Sequence, residues 1–372
     1  MTEAVLTRAK RIVVKTGSAL IAEQGQPRHA WLQALAADIA TFRERGQDVI
    51  LVSSGAVALG RKSLGGAGAT RLDQKQAAAA IGQPRLMAAL ADAFAPHGIT
   101  LGQALLTLSD TEIRRRWLNA RATLETLLEA GTVPVINEND TVATDEIRYG
   151  DNDRLAARVA QMMGADVLVL LSDVDGLYTA DPNRNPAAEH IPHLAALTEE
   201  HDAMAEGANA DAGVGSGGMA TKLAAARIAH AAGCSTLITL GNRNHPLLSI
   251  EDGARATLIS AALTPANARA AWLAGHLTPE GAILLDDGAA KALRGGASLL
   301  AVGITGVTGS FERGAAVALN TPSGITVGKG VTAYSSAEIM RVIGRRSEEV
   351  ESILGYRGRP AIIHRDDMVL VR

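Results

Sequence analysis

Residues 133–159 read VPVINENDTVATDEIRYGDNDRLAARV. Val133-Pro134-Val135-Ile136 is short, apolar and β-branched enough for a buried strand. Behind it Asn137, Glu138, Asn139, Asp140, Asp145, Glu146, Asp151, Asn152 and Asp153 crowd one loop, and Arg154-Leu155-Ala156-Ala157-Arg158-Val159 starts a helical pattern. A strand that runs into a polar loop and then a helix is where an open α/β sheet holds small ligands. So much acid and amide in one loop points to a ligand with an amino group, a metal, or both. Taken alone, such a loop is more often a solvated turn with Asn152 or Asp153 as a helix cap. The rest of the chain weighs against that plain reading.

The same texture recurs on either side. Arg11-Ile12-Val13-Val14 runs into Lys15-Thr16-Gly17-Ser18, where a lysine, a glycine and two hydroxyls at a strand exit suit a phosphate. Asp48-Val49-Ile50-Leu51-Val52 opens into Ser53-Ser54-Gly55-Ala56, a turn that can offer N–H groups and a hydroxyl to an anion. It is not the G-x-S-x-G nucleophile elbow, and no His and acid follow in a convincing order, which excludes a hydrolase triad. Ile99 to Leu106 and Ala165 to Leu171 read as further strands, the latter leading into Ser172-Asp173-Val174-Asp175-Gly176-Leu177-Tyr178. Helical spacing fills the gaps: Trp31, Leu35, Ile39 and Phe42; then Leu72 to Phe94, with a break expected at Pro84; then Asp110 to Glu129. Strands alternating with helices, each strand exit rich in Ser, Gly, Asn or Asp, describe a mainly parallel sheet with its site along one edge.

Gly213-Val214-Gly215-Ser216-Gly217-Gly218-Met219-Ala220-Thr221-Lys222 satisfies G-x-G-x-x-G in form, but no strand immediately precedes it. Met219 follows Gly218 where a P-loop would carry its lysine. What remains is a glycine loop at a helix N-terminus with Thr221-Lys222 one turn in, able to grip phosphate with N–H groups, helix dipole and ammonium. Thr236 to Leu240 adds another strand.

Composition sets the outer limits. A length of 372 residues suggests about two domains. A formal net charge of −3 gives no sign of a dedicated nucleic-acid binder. The single cysteine, Cys234, excludes an internal disulfide and a Cys-based zinc site. No basic leader precedes an apolar stretch, and no run approaches the ~18–20 apolar residues of a membrane span. A cytoplasmic protein is expected.

Together, K-x-G-S at Lys15, S-S-G-A at Ser53, INEND at Ile136, GDND at Gly150, LLSDVDGLYTADP at Leu170 and GSGGMATK at Gly215 resemble the amino acid kinase family. Within it they are most similar to members that phosphorylate the side-chain carboxylate of glutamate at the head of proline synthesis. The resemblance implies an α/β/α sandwich, with the amino acid held by the N-terminal half and ATP by the later half. By matched position it implies that Ser54, Asn137, Asp140, Asp151 and Asn152 bind glutamate. The family's serine directly precedes the glycine, which favours Ser54 over Ser53. Lys15, Ser172, Asp173, Ser216, Gly217, Gly218, Met219, Ala220, Thr221 and Lys222 would bind ATP. Lys15 and Lys222 would flank the transferred phosphoryl group, and Asp153 would orient the lysines.

Mg²⁺ is implied as the partner of ATP, with no protein metal ligand assigned. Also implied are a homo-oligomer, feedback inhibition by proline, and hand-off of a labile acyl phosphate to glutamyl phosphate reductase. The chemistry agrees with the residue types. A free Glu carboxylate titrates near pH ~4.3, so the nucleophile is already ionised and needs no general base. Aspartate, N-acetylglutamate and carbamate are the rival acceptors within the family.

The texture changes after a linker expected at residues 261–279, leaving residues 1–260 as the kinase domain. Residues 280–372 read as a small β-rich domain with strands at Ala282 to Leu285, Leu299 to Gly303, Ala315 to Leu319 and Gly324 to Gly328. Asp286-Asp287-Gly288-Ala289, the Gly306 to Gly309 turn and Gly328-Lys329-Gly330-Val331 resemble a PUA domain, a fold often found in RNA-modifying proteins. RNA binding is therefore the second functional reading. From Gly275 onward eleven Lys and Arg face ten Asp and Glu, too balanced for a strong phosphate-tracking surface. Regulation or assembly ranks above RNA for this domain.

Overall fold

The computed structural model describes residues 2–65, 71–143, 151–182, 184–209, 218–276 and 278–371. The chain divides into two compact units. One comprises Met1–Glu112 with Ala120–Pro265, the other Ile113–Asn119 with Ala266–Arg372.

The larger unit is built on an eight-stranded sheet among the described residues. Its strands are β1 (Arg11–Thr16), β2 (Asp48–Val52), β3 (Leu101–Leu106), β4 (Val133–Glu138), β5 (Val167–Ser172), β6 (His193–Leu194), β7 (Ser235–Leu240) and β8 (Ala256–Ile259). The spatial order is β6-β8-β7-β5-β1-β2-β4-β3. Pairing is parallel from β7 across to β3, whereas β8 runs antiparallel to β7. Mainly parallel strands are apolar on both faces because both faces are covered, and β5 is buried along its whole length.

Strand parity then sorts the helices. Ile12, Val14, Val49 and Leu51 share one core with Leu32 and Leu35 of α1 (His29–Glu44) and with Leu86 and Leu90 of α3 (Leu72–Phe94). Val13 and Lys15 alternate with Ile12 and Val14 and so face the opposite side. There α5 (Asp151–Met163) packs against β1, and α7 (Met219–Ala231) packs against α5.

Three expectations are corrected here. Pro84 does not break α3, which runs unbroken from Leu72 to Phe94. A proline removes one N–H, and the residue whose carbonyl loses that partner, Ala80, is solvent-exposed, so water can take its place. A strand stands where none is expected: Ala256–Ile259 is wholly buried and pairs in register with β7. The helix beyond it, Pro265–His276, carries its proline at the first position, where no N–H is needed.

In the smaller unit a five-stranded sheet contains Gly281–Leu285, Ile304–Thr308, Ala316–Asn320, Thr326–Val331 and Met368–Leu370. The third correction is the strand expected at Leu299 to Gly303. Leu299 makes one isolated bridge to Ile363, and Ala301–Gly303 is a 3₁₀ turn. A Cβ at Gly303 would lie 2.5 Å from the Ala289 Cβ, so the chain passes too close to the Asp287–Arg294 helix for a side chain. The last expected strand starts later, at Thr326, since Gly324 turns with φ +84°. The Ser336–Val342 helix carries a capping box between Ser335 and Glu338, a signal present in the sequence and not used above.

Candidate active site

At the C-terminal end of β1, Lys15 points to the face on which α5 begins. The third residue of that helix, Asp153, is completely buried and holds two cations. Its Oδ1 lies 2.6 Å from Lys15 Nζ and its Oδ2 lies 3.4 Å from Lys222 Nζ. Lys222 comes from the first turn of α7. Beside it the Thr221 hydroxyl lies 3.0 Å from Asp153 Oδ2 and 2.8 Å from the Gly218 carbonyl, within reach of either acceptor. Burial by itself pushes the Asp153 carboxyl up, but the two lysines outweigh it and hold the group below the ordinary aspartate range. Asp153 therefore stays ionised and draws the two ammonium groups toward one point.

One residue earlier on the same helix, the Asn152 amide nitrogen lies 2.7 Å from Ser54 Oγ, 3.1 Å from the Ser53 carbonyl and 3.1 Å from Asn137 Oδ1. Of the two serines, Ser54 thus supplies the hydroxyl that joins this network. The Ser53 hydroxyl is buried and has no hydrogen-bond partner among the described residues. The turn depends on Gly55, whose φ of +104° lies in the left-handed region. Asn137 Oδ1 also accepts from the Glu138 N–H at 2.9 Å, and its amide nitrogen donates to Gln83 Oε1 at 2.9 Å. Burial pushes the Asp140 carboxyl up to about 6.

Gln83 was missed in the sequence. A glutamine in an alanine-rich helix has no spacing or motif to mark it. Asp151 is described only as the first residue of α5, and Ser216 and Gly217 lie outside the described residues.

β5 runs parallel to β1, so the loop beyond it leaves the same edge of the sheet. Lys15 is in register with Leu170, and Ser172 closes the same strand, its hydroxyl donating to Asp173 Oδ1 at 2.9 Å. The loop is pinned to β8: the Leu177 N–H donates to Thr257 Oγ1 at 2.7 Å, and Arg255 donates to the Tyr178 hydroxyl at 2.9 Å. Gly176 has φ +151°, and a Cβ there would lie 2.4 Å from His190 Nε2, which accounts for the glycine of DVDGLY. Gly218 precedes α7 without a side-chain cap, and no acid occupies the helix's first turn. The leading N–H groups of α7 and the Lys222 ammonium give this edge of the sheet a positive potential, the kind that suits an anion.

A separate open recess of about 400 Å³ between Glu23, the start of α1 and Asn242 to Asn244 contains none of these residues. Among the described residues no cluster of three or more His, Cys, Asp and Glu is placed to hold a metal ion. No described helix is long and apolar enough to cross a membrane.

Asp153 thus joins Lys15 and Lys222, and its neighbour Asn152 joins Ser54 and Asn137. The model of the amino acid kinase family matches residues 10–239. The chain belongs to the amino acid kinase family. Lys15, Asp153 and Lys222 all lie within that match, as do Ser54, Asn137 and Asn152. Residues 281–354 match the PUA domain. Among curated relatives, the glutamate 5-kinase of Caulobacter vibrioides is 59% identical over 365 residues, covering 97% of both chains. The glutamate 5-kinase of Paramagnetospirillum magneticum is 56% identical over 367 residues, covering 98% of this chain and 99% of its own. That of Bartonella henselae is 52% identical over 367 residues, covering 98% and 96%. This amino acid kinase therefore resembles them across both of its units.

Proposed function

We propose that this chain transfers the γ-phosphoryl group of ATP to the side-chain carboxylate of L-glutamate, giving L-glutamyl 5-phosphate and ADP, the first step of proline biosynthesis. The observation that carries the reading is the single buried Asp153 gathering Lys15 and Lys222, with Asn152 on the same helix turn opening the amide pocket. A carboxylate oxygen of glutamate attacks the γ-phosphorus as the bond to the β,γ-bridging oxygen breaks, and the electron pair leaves on ADP. The nucleophile is ionised before it binds, so the protein has no proton to remove.

What remains is to hold two anions in line and to neutralise charge on the equatorial oxygens. That role is assigned to Lys15 and Lys222, and their shared partner Asp153 supports it by keeping them close. Ser54, Asn137, Asp140, Asp151 and Asn152 are assigned to the amino acid. Ser172, Asp173 and the residues 216–222 are assigned to ATP. Magnesium belongs to the nucleotide substrate in this reading, supplying positive charge at the phosphates.

An acyl phosphate is labile in water, which favours hand-off to a reductase such as glutamyl phosphate reductase. Proline, an amino acid of similar backbone, would compete at the same pocket, and the acting form would be a homo-oligomer. An ATP-consumption assay across glutamate, aspartate, N-acetylglutamate and carbamate tests the reading. Glutamate alone should drive turnover, and turnover with another acceptor in its place would overturn the assignment.

A further inference from the structure

Three side-chain amides line the pocket, and their orientations can be worked out from neighbours that can only donate or only accept. The Glu138 backbone N–H can only donate, and it meets Asn137 Oδ1 at 2.9 Å. The Asn137 nitrogen must then be the atom that meets Gln83 at 2.9 Å, so Gln83 presents its oxygen there and turns its nitrogen elsewhere. The Ser53 carbonyl can only accept, and it lies 3.1 Å from the Asn152 nitrogen, which turns Asn152 Oδ1 away from that network.

Two atoms are left over. Gln83 Nε2, a donor, and Asn152 Oδ1, an acceptor, are both buried and have no hydrogen-bond partner among the described residues. Buried polar groups are rarely left unpaired, and an unpaired pair of this kind beside a cleft points to a missing ligand. An α-amino acid carries the complement, a carboxylate that accepts and an ammonium that donates.

We propose that Gln83 Nε2 donates a hydrogen bond to the α-carboxylate of the bound amino acid, making Gln83 a substrate-contacting and specificity residue. The proposal rests on the glutamate kinase reading and deepens it. Position decides which carboxylate is involved. Asn152 adjoins Asp153 and the lysine pair, whereas Gln83 is reached from Asn152 only through Asn137, two hydrogen bonds away. The reacting carboxylate must lie at the lysines, so the Gln83 end receives the α-carboxylate.

The backbone is built to hold Gln83 there. Its neighbour Gly82 meets α2 (Ala56–Gly60), the helix that starts just after Ser54. A Cβ at Gly82 would lie 1.7 Å from the Ala56 carbonyl oxygen, and one at Gly60 would lie 1.8 Å from the Ala78 carbonyl oxygen. Only two glycines let these helices cross backbone to backbone, and that crossing carries Gln83 up to Asn137.

The test uses the full-length chain, the variants Gln83→Glu and Gln83→Met, and two acceptors, glutamate and its α-amide isoglutamine. In Gln83→Glu one carboxylate oxygen still accepts from Asn137, while the other repels an α-carboxylate and welcomes an α-amide N–H. The KM for glutamate should rise about 100-fold with kcat far less affected, since a buried acceptor replaces a buried donor. The KM for isoglutamine should change less than about 3-fold, because its α-amide can turn from accepting to donating, and the KM for ATP should hold.

Gln83→Met, which removes the donor without adding charge, should erase the preference for glutamate over isoglutamine. If either folded variant weakens both acceptors by the same factor, Gln83 acts only through Asn137 and the proposal fails. Wild-type protein that consumes no ATP with glutamate would instead overturn the kinase reading itself, an outcome visible before any variant is made.

Discussion

Lys15 and Asp153 meet at 2.6 Å, one at the end of the sheet's central strand and the other in the first turn of α5. The carboxylate is fully buried, and its second oxygen faces Lys222 at 3.4 Å. Its charge is what keeps two ammonium groups close together. Replacing Asp153 by Asn keeps the shape and removes that charge. Breaking a buried pair in this way costs about 3–5 kcal/mol, because a charge is left without its counter-ion. The expected result for Asp153→Asn is a loss of that order in urea unfolding, together with a kcat reduced about 100-fold or more. A variant that keeps both stability and turnover would remove Asp153 from its assigned place.

Lys222 is expected to act on the transition state more than on the ground state. It lies in the first turn of α7, paired with Asp153, and not within the hydrogen-bond network of Ser54, Asn137 and Asn152. Lys222→Ala should therefore lower kcat more than about 100-fold while the KM for glutamate moves less than about 3-fold. Lys222→Arg should restore little, since a planar guanidinium does not fit where a buried ammonium meets one carboxylate oxygen. Equal losses in kcat and in glutamate affinity would argue against a transition-state role.

Much of this cleft was legible because a parallel sheet buried on both faces writes its strands as apolar runs. Ile12 to Val14, Ile50 to Val52 and Val167 to Leu171 are uninterrupted, so the polar residues that follow them stand out. Lys15 is the first charge after such a run, and the structure places it, Asp153 and Lys222 together. Gln83 was not legible, because its place depends on Gly60 and Gly82 meeting across two helices. Nothing in either helix alone announces a crossing. Ala256 to Ile259 was missed for another reason. The four residues Ala-Thr-Leu-Ile are too few to show a period of their own, and only the pairing with β7 makes them a strand. The turn at Ala301–Gly303 reflects the close passage of Gly303 by Ala289, a contact that no local pattern encodes.

Acidic pH should weaken glutamate binding through Asp140. Burial pushes this carboxyl up to about 6. Its charge, which would face the substrate ammonium, is present above that pH and lost below it. The KM for glutamate is therefore expected to rise as pH falls through about 6, with a smaller change in kcat, and Asp140→Asn should flatten that dependence. The stability effect has the opposite sign. A carboxyl with a folded pKa above its unfolded value favours the folded state at low pH and disfavours it at neutral pH, by up to about 3 kcal/mol here. Asp140→Asn should accordingly unfold at a higher urea concentration at pH 7 and lose that advantage near pH 4. A variant destabilised at pH 7 would show that the native carboxylate has a compensating partner.

The crossing of α2 and α3 should tolerate no side chain at either glycine. The atoms a new Cβ would meet are backbone carbonyl oxygens, at 1.8 Å for Gly60 and 1.7 Å for Gly82, so no rotamer change relieves the clash. The helices must separate, which opens the apolar contact between α3 and the sheet and draws Gln83 away from Asn137. Gly82→Ala should cost more than about 4 kcal/mol, at the far end of single-substitution effects, and Gly60→Ala a similar amount. Gly46→Ala is the control. Its φ of +77° carries backbone strain, yet no atom lies within 4 Å of its would-be Cβ. Its cost should stay near 1–2 kcal/mol, the scale of left-handed strain at a non-glycine residue. Thermal melts of the three variants, read beside the KM for glutamate, separate the two effects. The α2–α3 pair should lose stability and acceptor affinity together, whereas the control should lose a little stability and no affinity.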